Sequence, residues 1–575
     1  RSIFNHLTKA EFEAMGEYVG SMEKHPVRCE SHFLKSVLYD KTMTFSSNLS
    51  LYGIPKLHHF TNDAGEWVNS MVGAIRQMST CGEPVFEQPF IAAANICFKH
   101  ILPVLHDQLT YVRPLFIHEV IRGTSHTNPL RLDASCGFPM SGKIKADLVK
   151  GPLEEPCFTA DYAVHLMEVL KFIDEKGYTF NIAVASLKDE IIKQTKIDDG
   201  LERVFFSGNA DFLMLCRMYL SPLCDLFMAN RDVLFAQIGM NAIGAEFHER
   251  LQYMYQRIVP DFEISKFLFD VGWMDADYSK YDKRLLVLAY GVYVMWLLVQ
   301  ECPYYKDPDN IVELLRVEAI LKAFGQYIMI IGNEVFIMHN KMPSGVFGTA
   351  IINCICECIL QILQFYYCLY VFRHPDKHLP TDFVAVGAEE VKFFNVVSLI
   401  NYGDDNLKYV SSDYRQIYTN QNIKRFAEAF AIEITSANKE DSLSFKTVTQ
   451  VQFLKRTPYY DYERKLLIGL LDFNSIVKML GFTDSLVEDW KELALDQAGR
   501  ELSYYPLDTF ERFCEVFCLE LDHDATRDRA LGGQGWGKDK LTIVFDDATA
   551  DDTVSAEVTR VRGYKIETDN YISSM

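Results

Sequence analysis

Two adjacent carboxylates, Asp404 and Asp405, follow Tyr402-Gly403 and stand between the apolar runs Val396-Val397-Ser398-Leu399-Ile400 and Leu407-Lys408-Tyr409-Val410. β-branched and aromatic residues on both sides of a Gly-containing turn read as a β-hairpin with its acids at the tip. Two carboxylates on a rigid turn suit a pair of Mg²⁺ ions, which prefer hard oxygen ligands and take few of them from protein. Such a pair, about 4 Å apart, clamps both the attacking and the leaving oxygen of a phosphoryl displacement. In isolation an Asp-rich surface turn would look the same, because Asp favours turns. The tetrapeptide arises by chance in about one chain in a few hundred of this size.

Two further segments stand in order before it. Trp273-Met274-Asp275-Ala276-Asp277-Tyr278-Ser279-Lys280-Tyr281-Asp282 follows the apolar run Phe267-Leu268-Phe269. Met342-Pro343-Ser344-Gly345-Val346-Phe347-Gly348-Thr349-Ala350-Ile351-Ile352-Asn353 lies between that segment and the acidic turn. An Asp-x4-Asp, a Ser-Gly loop opening a helix that carries Asn, and then Gly-Asp-Asp form an ordered series. With it the chain resembles the RNA-dependent RNA polymerases of positive-strand RNA viruses, most closely the picornavirus-like group. Asp277/Asp282, Ser344-Gly345/Asn353 and Asp404-Asp405 are similar to that family's palm motifs A, B and C.

The resemblance implies roles. Asp277 and Asp404 would hold two Mg²⁺ ions, for which Mn²⁺ can substitute, with Asp405 supporting the pair. One ion would lower the pKa of a primer 3′-hydroxyl, and the other would neutralise the triphosphate and the departing pyrophosphate. Three carboxylates together repel one another, so the site should depend on metal. Asp275, two residues before Asp277, should share its strand face, and the sequence leaves open whether it also binds metal. Asp282, Thr349 and Asn353 would hydrogen-bond the ribose 2′-hydroxyl; Thr349 and Asn353 share a helix face. A site built to bond a hydroxyl rejects the analogue lacking it. Thr349 and Asn353 could equally be a local hydrogen-bonding pair where the helix starts. Ser344 and Gly345 sit in a loop where glycine permits unusual backbone angles close to substrate. Without a Gly-x-Ser-x-Gly elbow, Ser344 is not read as a hydrolase nucleophile.

Basic residues appear where a triphosphate would need them. Lys188-Asp189-Glu190-Ile191-Ile192-Lys193-Gln194-Thr195-Lys196, followed by Arg203, resembles motif F, the roof of the nucleotide channel. Lys196 and Arg203 fall at the family's basic positions and Lys188 opens the motif, whereas Ile192 and Leu201 occupy places that are commonly basic in the group. These cations would neutralise the triphosphate. Lys439 falls where the motif D lysine would act as general acid toward pyrophosphate. Phe453-Leu454-Lys455-Arg456 resembles motif E, a hairpin gripping the primer strand, with Lys455 and Arg456 as its cations. Ser135-Cys136-Gly137-Phe138-Pro139 resembles motif G at the template entrance, with Ser135 and Gly137 as contacts.

Composition bounds the rest. Hydrophobic residues at 49% and aromatics at 13% exclude a disordered protein and allow a sizeable core. The net charge of −21 argues against a generic nucleic-acid binder, because phosphate contacts need Lys and Arg. Local rather than net charge decides binding, however, and the catalytic site itself demands acids. Fourteen scattered cysteines show no paired zinc spacing and read as buried free thiols, Cys354 and Cys358 among them. With no secretory leader, the expectation is a reducing, cytosolic compartment. The chain opens at Arg1, which reads as excision from a larger precursor or as a trimmed start.

Neither Leu285 to Val299 nor Ala350 to Phe372 reads as a membrane span. The first is short, and the second carries Asn353, Glu357, Gln361 and Gln364 along one edge, the pattern of a buried helix. Tyr327 to Ile337 reads as a hairpin turning at Gly332-Asn333. His374 to Phe393 reads as a loop with a short strand, while Ser485 to Leu495 and Phe510 to Leu521 have helical periodicity. From Gly532 onward the chain is Gly-rich, then acidic, with a strand-like run at Leu541 to Phe545 and no assigned role.

The resemblance implies an α+β fold, a closed right-hand polymerase with fingers, a palm of antiparallel sheet backed by helices, and a helical thumb. The implied division is N-terminal fingers and fingertips at 1–215, palm with motif A at 216–285, and a fingers insertion at 286–340. Palm motifs B, C and D follow at 341–450, the thumb at 451–530 and a C-terminal extension at 531–575. Implied partners are RNA template and primer, ribonucleoside triphosphates, a genome-linked peptide primer and other viral replication proteins. The implied setting is the host-cell cytoplasm at membrane-associated replication complexes, after release from a viral polyprotein. Two other readings stay open here. A reverse transcriptase shares the paired Asp, but a DNA-making site has reason to exclude the 2′-hydroxyl that Asp282 and Asn353 would bind. A non-catalytic RNA-binding or assembly subunit would have no use for three acids that repel phosphate without metal.

Overall fold

Alternating apolar residues on both sides of Gly403 form the expected hairpin. The computed structural model describes residues 7–9, 13, 15–22, 30–62, 64–78, 87–152, 155–278, 281, 287–437, 443–484 and 490–531. In it Val397–Tyr402 pairs antiparallel with Asp405–Val410, Tyr402 opposite Asp405. The turn is therefore two residues long, Gly403-Asp404, and Gly403 takes φ +67°. Two-residue hairpin turns that match strand twist need positive φ at their first residue, which glycine adopts without a Cβ clash.

Trp273–Tyr278 pairs antiparallel with the outer edge of Asp405–Val410, from Trp273 opposite Tyr409 to Ala276 opposite Asn406. Its last residues, Asp277 and Tyr278, pair with Thr435 and Ile434, completing a four-stranded sheet. Side chains alternate across a strand, and the two faces have different neighbours. Trp273, Leu407 and Tyr409 pack with Tyr255 and Phe267, the Trp273 and Tyr409 rings 5.1 Å apart. Met274, Ala276 and Tyr278 face a larger core built on the helices Gln88–Leu105, Ala210–Ala229, Leu288–Glu301, Ile311–Gly325 and Thr349–Arg373.

Thr349–Arg373 is buried almost all round, as a helix apolar on every side must be in a globular core. It and Ala210–Ala229 are long and apolar enough to cross a membrane by length and composition. Both lie mostly inside the protein. The second was not singled out by its sequence pattern, because Asp211 and Arg217 interrupt the apolar run. Arg217 is held by the Val120 carbonyl at 2.7 Å and the Asn128 carbonyl at 2.8 Å.

A second sheet has five strands in the order Glu17–Ser21, Glu334–His339, Gln326–Ile331, Ile182–Leu187 and Val204–Gly208. The hairpin read at Tyr327 to Ile337 is its centre. The architecture is α+β, with mostly antiparallel sheets and helices packed against them. The N-terminal segment joins distant parts: Leu34-Lys35 pairs with Phe482-Thr483, and Tyr52-Gly53 pairs with Ile192-Lys193. Between these pairings, Leu38 and Phe45 pack into the core of the C-terminal helices Phe473–Gly481, Trp490–Leu502 and Leu507–Phe517.

One segment differs from its expectation. His374 to Phe393 was read as a loop with a short strand, but Phe383–Glu390 is a helix. Its Val-Ala-Val looks strand-like, yet Phe383 and Val384 turn together into the core. Gly387 comes so close to Tyr366 that a Cβ would lie 2.6 Å from its ring. The helical reading at Ser485 to Leu495 meets the helix Trp490–Leu502, residues 485–489 lying outside the described residues, and the reading at Phe510 to Leu521 meets Leu507–Phe517, which ends at Phe517. The segment from Gly532 onward lies outside the described residues.

A further hairpin, Arg456–Asp461 with Leu466–Leu471, is locked to the C-terminal helices by Arg456. Its guanidinium donates to both oxygens of Glu501, at 2.7 and 2.9 Å, and to the Gly469 carbonyl at 2.8 Å. Glu501 is buried, so losing its partner strands a charge. Arg456→Met should destabilise the protein by about 3 kcal/mol or more, read as a fall in thermal midpoint. Adding Glu501→Leu should recover most of it.

Candidate active site

Register puts the acids together. The strand pairing ends with Ala276 opposite Asn406, so one further step sets Asp277 beside Asp405, on the same face of the sheet. Asp404 occupies the turn itself. All three are half-buried. Burial raises the Asp404 carboxyl above its ordinary range, with Arg203 working the other way. Burial and then the Asp404 charge push Asp405 up to about 6, against a smaller opposing effect of Lys455. Carboxylates desolvated in this way and repelling one another would be relieved by cations. Among the described residues no three His, Cys, Asp or Glu side chains close into a metal cage. An open, carboxylate-only set suits Mg²⁺, which keeps waters and substrate oxygens among its ligands, and Asp277, Asp404 and Asp405 fit it chemically.

Asp275 has a different task. It is 1% exposed and accepts from Lys446 Nζ at 2.9 and 3.1 Å and from the Gln452 amide at 2.8 Å. An ion pair with a lysine far along the chain engages both oxygens, which answers the question its position raised. It is structural.

The Ser-Gly loop docks on the five-stranded sheet. Phe206 N–H donates to the Ser344 carbonyl at 3.0 Å. Gly345 has φ +106°, and a Cβ there would meet the Phe206 carbonyl at 2.5 Å, so both backbone and space require glycine. Thr349 hydroxyl donates to the Val346 carbonyl at 2.5 Å where the helix starts. Its proton is engaged within the protein, which favours the local reading of this residue. Asn353, one turn on, is 6% exposed, and its Oδ1 is buried with no donor among the described residues. A buried acceptor without a donor costs free energy until a ligand hydroxyl reaches it.

Basic residues surround the acids from two sides. Arg203 and Lys188 both pair with Glu190, at 2.9 and 3.0 Å, and Lys188 N–H donates to the Arg203 carbonyl at 2.7 Å. Glu190, unremarked in the sequence, therefore orients two of the expected cations. Lys196 is exposed on the short helix Gln194–Asp198. Leu454-Lys455 is a tight turn with both residues at positive φ, +54° and +58°, closed by paired Phe453–Arg456 backbone bonds of 2.9 Å. It presents Lys455 toward Asp405. Arg456 is corrected as a primer-strand contact, because its guanidinium is bound within the protein by Glu501 and Gly469.

Ser135 and Gly137 form a self-contained turn, Gly137 N–H donating to Ser135 Oγ at 3.1 Å and Lys145 Nζ to the Ser135 carbonyl at 2.7 Å. Ala210 N–H donates to the Cys136 carbonyl at 2.8 Å, which ties the turn to the end of the Val204–Gly208 strand. Asp282 and Lys439 lie outside the described residues. Sequence reasoning also missed Lys478, on the helix Phe473–Gly481. It stands 5.0 Å over the Tyr52 ring, and burial and then Lys455 depress its pKa. A lone lysine in an amphipathic helix carries no signal of that neighbourhood.

Comparison with known proteins adds an independent line. The model of the viral RNA-dependent RNA polymerase family matches residues 106–491. The chain is 25% identical over 405 residues to the genome polyprotein of Human parechovirus 2 (strain Williamson), covering 69% of this chain and 16% of that polyprotein. It is 25% identical over 428 residues to the replicase polyprotein of Drosophila C virus (strain EB), covering 71% and 23%. With the replicase polyprotein of Cricket paralysis virus it is 22% identical over 517 residues, covering 83% and 27%. The chain thus spans well under a third of each of these relatives.

The raised carboxyls make a pH prediction. Between about pH 4 and 6 the folded protein holds a proton on Asp405 that the unfolded chain has released, so metal-free stability falls as pH rises through that window. Asp405→Asn should therefore stabilise the metal-free protein at pH 7, by on the order of 1–3 kcal/mol. Thermal melts with and without Mg²⁺ check this: Mg²⁺ should stabilise the wild type at pH 7, and much less at pH 5 or in the variant.

Proposed function

The chain belongs to the viral RNA-dependent RNA polymerase family, and from that premise we propose that it copies an RNA template into RNA from ribonucleoside triphosphates. The observation that carries this reading is the placing of Asp277 and Asp405 on one sheet face with Asp404 in the adjoining turn, all half-buried and with two carboxyls destabilised as anions. In each cycle the primer 3′-oxygen attacks the α-phosphorus, the bond to pyrophosphate breaks, and the hydroxyl proton is released. Bound Mg²⁺, or Mn²⁺ in its place, would supply the Lewis acidity that activates the hydroxyl and neutralises the leaving group.

The chain's own residues do the rest. Asp277, Asp404 and Asp405 would hold the ions by charge. Lys188, Lys196 and Arg203 draw the triphosphate in, and Glu190 keeps two of these cations oriented. Asn353 offers a buried acceptor to the ribose 2′-hydroxyl, and Asp282 is given the same role on its motif position alone. A deoxyribose leaves that acceptor unpaired, which separates RNA from DNA synthesis by free energy. Ser344 and Gly345 shape the loop below the nucleotide, Thr349 fixes the start of its helix, and Lys455 faces the primer strand. Lys439, on its motif position, protonates pyrophosphate. Ser135 and Gly137 line the template path.

This reading casts the four-stranded sheet and its helices as palm, the five-stranded sheet as fingers, and the C-terminal helices as thumb of a closed right hand. The pairings of the N-terminal segment with residues 192–193 and 482–483 support the closure. The polyprotein names of the relatives support release from a viral polyprotein. By the same analogy, the enzyme works with other replication proteins at host cytoplasmic membranes and starts from a genome-linked peptide primer.

Extension of a labelled primer on an RNA template tests the proposal. Ribonucleotides with Mg²⁺ should be incorporated, deoxyribonucleotides poorly, and chelation should abolish both. Asp404→Ala should lower the rate by about a thousandfold or more while template binding persists. Preference for deoxyribonucleotides would overturn the reading in favour of reverse transcription. Binding of template with no extension under Mg²⁺ or Mn²⁺, with peptide or RNA primers, would leave a binding subunit.

A further inference from the structure

Directly behind the acids lies a charged group that the mechanism does not use. Lys408, three residues beyond Asp405 on the hairpin strand, is 1% exposed. Its ammonium donates to Gln361 Oε1 at 2.8 Å and Gln364 Oε1 at 2.6 Å, and sits 4.4 Å over the Tyr418 ring. Those three contacts account for its three protons. Gln361 is equally engaged: its Nε2 donates to Glu357 Oε1 at 2.7 Å and to the Tyr278 hydroxyl at 2.9 Å. Glu357, Gln361 and Gln364 are all buried. The amide of Gln361 therefore points its oxygen at the Lys408 ammonium and its nitrogen at the Glu357 carboxyl, and these two hydrogen bonds fix its orientation.

The elements meeting here are those that carry the site. Lys408 belongs to the strand of Asp405, and Tyr278 follows Asp277 in its strand. Glu357 stands one helical turn beyond Asn353, on the same face. A core without this node would pack with apolar side chains at least as stably, because a buried charge seldom repays its desolvation. What the node adds is a single allowed register between helix and sheet.

We propose that Lys408 is a positioning residue for nucleotide selection, its ammonium fixing, through Gln361 and Glu357, the height of the Asn353 face against the strands of Asp277 and Asp405. The inference rests on the polymerase reading above. Lys408 touches neither substrate nor metal; it acts through the helix. The effect should appear in the ratio of ribo- to deoxyribonucleotide use, which a merely stabilising residue would not move.

The test is single-nucleotide incorporation by preassembled elongation complexes of wild type, Lys408→Met, Gln361→Leu and the double variant Lys408→Met/Glu357→Gln. For each, kcat and KM are measured with a ribonucleotide and its deoxy counterpart. Lys408→Met and Gln361→Leu should lower the ratio of kcat/KM values about tenfold, with the ribonucleotide losing kcat more than KM. The double variant leaves no charge in the core and should melt near the wild type, yet keep the lowered ratio. That variant also carries the test if Lys408→Met does not fold. A ratio within about twofold of wild type in a well-folded double variant would overturn the inference. Failure of the wild type to extend any primer would instead strike the polymerase reading.

Discussion

Every functional feature of this molecule depends on the register of one strand pair. Trp273 opposite Tyr409 and Ala276 opposite Asn406 decide that Asp277 arrives beside Asp405. Slipping the Asp405–Val410 strand by one residue would send Asp405 to the helical side of the sheet, away from Asp277, and bring Lys408 out, since strand side chains alternate. The large rings of Trp273, Tyr409 and Tyr255, packed on one face, resist that slip. On the other face the amide-bridged Lys408 would lose all its partners. Apolar packing and buried charge thus specify the same register from opposite sides.

Electrostatics around the acidic turn is uneven: neighbouring buried or half-buried acids are paired, and those of the turn are not. Asp275 is answered by Lys446, Glu501 by Arg456, and Asp270 by Arg415 at 2.8 Å. Asp404 and Asp405 receive no ion pair of this kind among the described residues, only the more distant influence of Arg203 and Lys455. The overall charge of −21 therefore misleads about nucleic-acid binding. What matters is the local balance, in which Arg203 acts on Asp404 and Lys455 on Asp405.

Local determinants were legible in the sequence and long-range ones were not. The Gly403-Asp404 turn, the Gly332-Asn333 hairpin and the buried Thr349–Arg373 helix are dictated by residues within a few positions, so pattern alone finds them. Asp275 could not be sorted from Asp277 because its partner Lys446 lies in another part of the chain. Arg456 was read as a strand-gripping cation because Glu501 is equally remote. Thr349 was ambiguous in the sequence, since its hydroxyl could reach either ribose or the Val346 carbonyl. Phe383–Glu390 was misread because Val-Ala-Val favours strand locally, and only the core beneath it selects helix.

The same long-range pairings govern how the molecule must form. Glu17 is paired with Ile337, Leu34 with Thr483, and the Asp277 strand with residues beyond 400 on both of its edges. Loop closure over such separations comes late, so a chain with this contact order folds slowly. A chain emerging from its amino end exposes the Trp273–Tyr278 edge strand, with its aromatic flank, until more than a hundred further residues are available to cover it. The acids cannot meet before then. The three acids are thereby brought together only after the chain has folded through the strands at 405–410 and 434–435, so their meeting reports on a long stretch of correctly placed polypeptide.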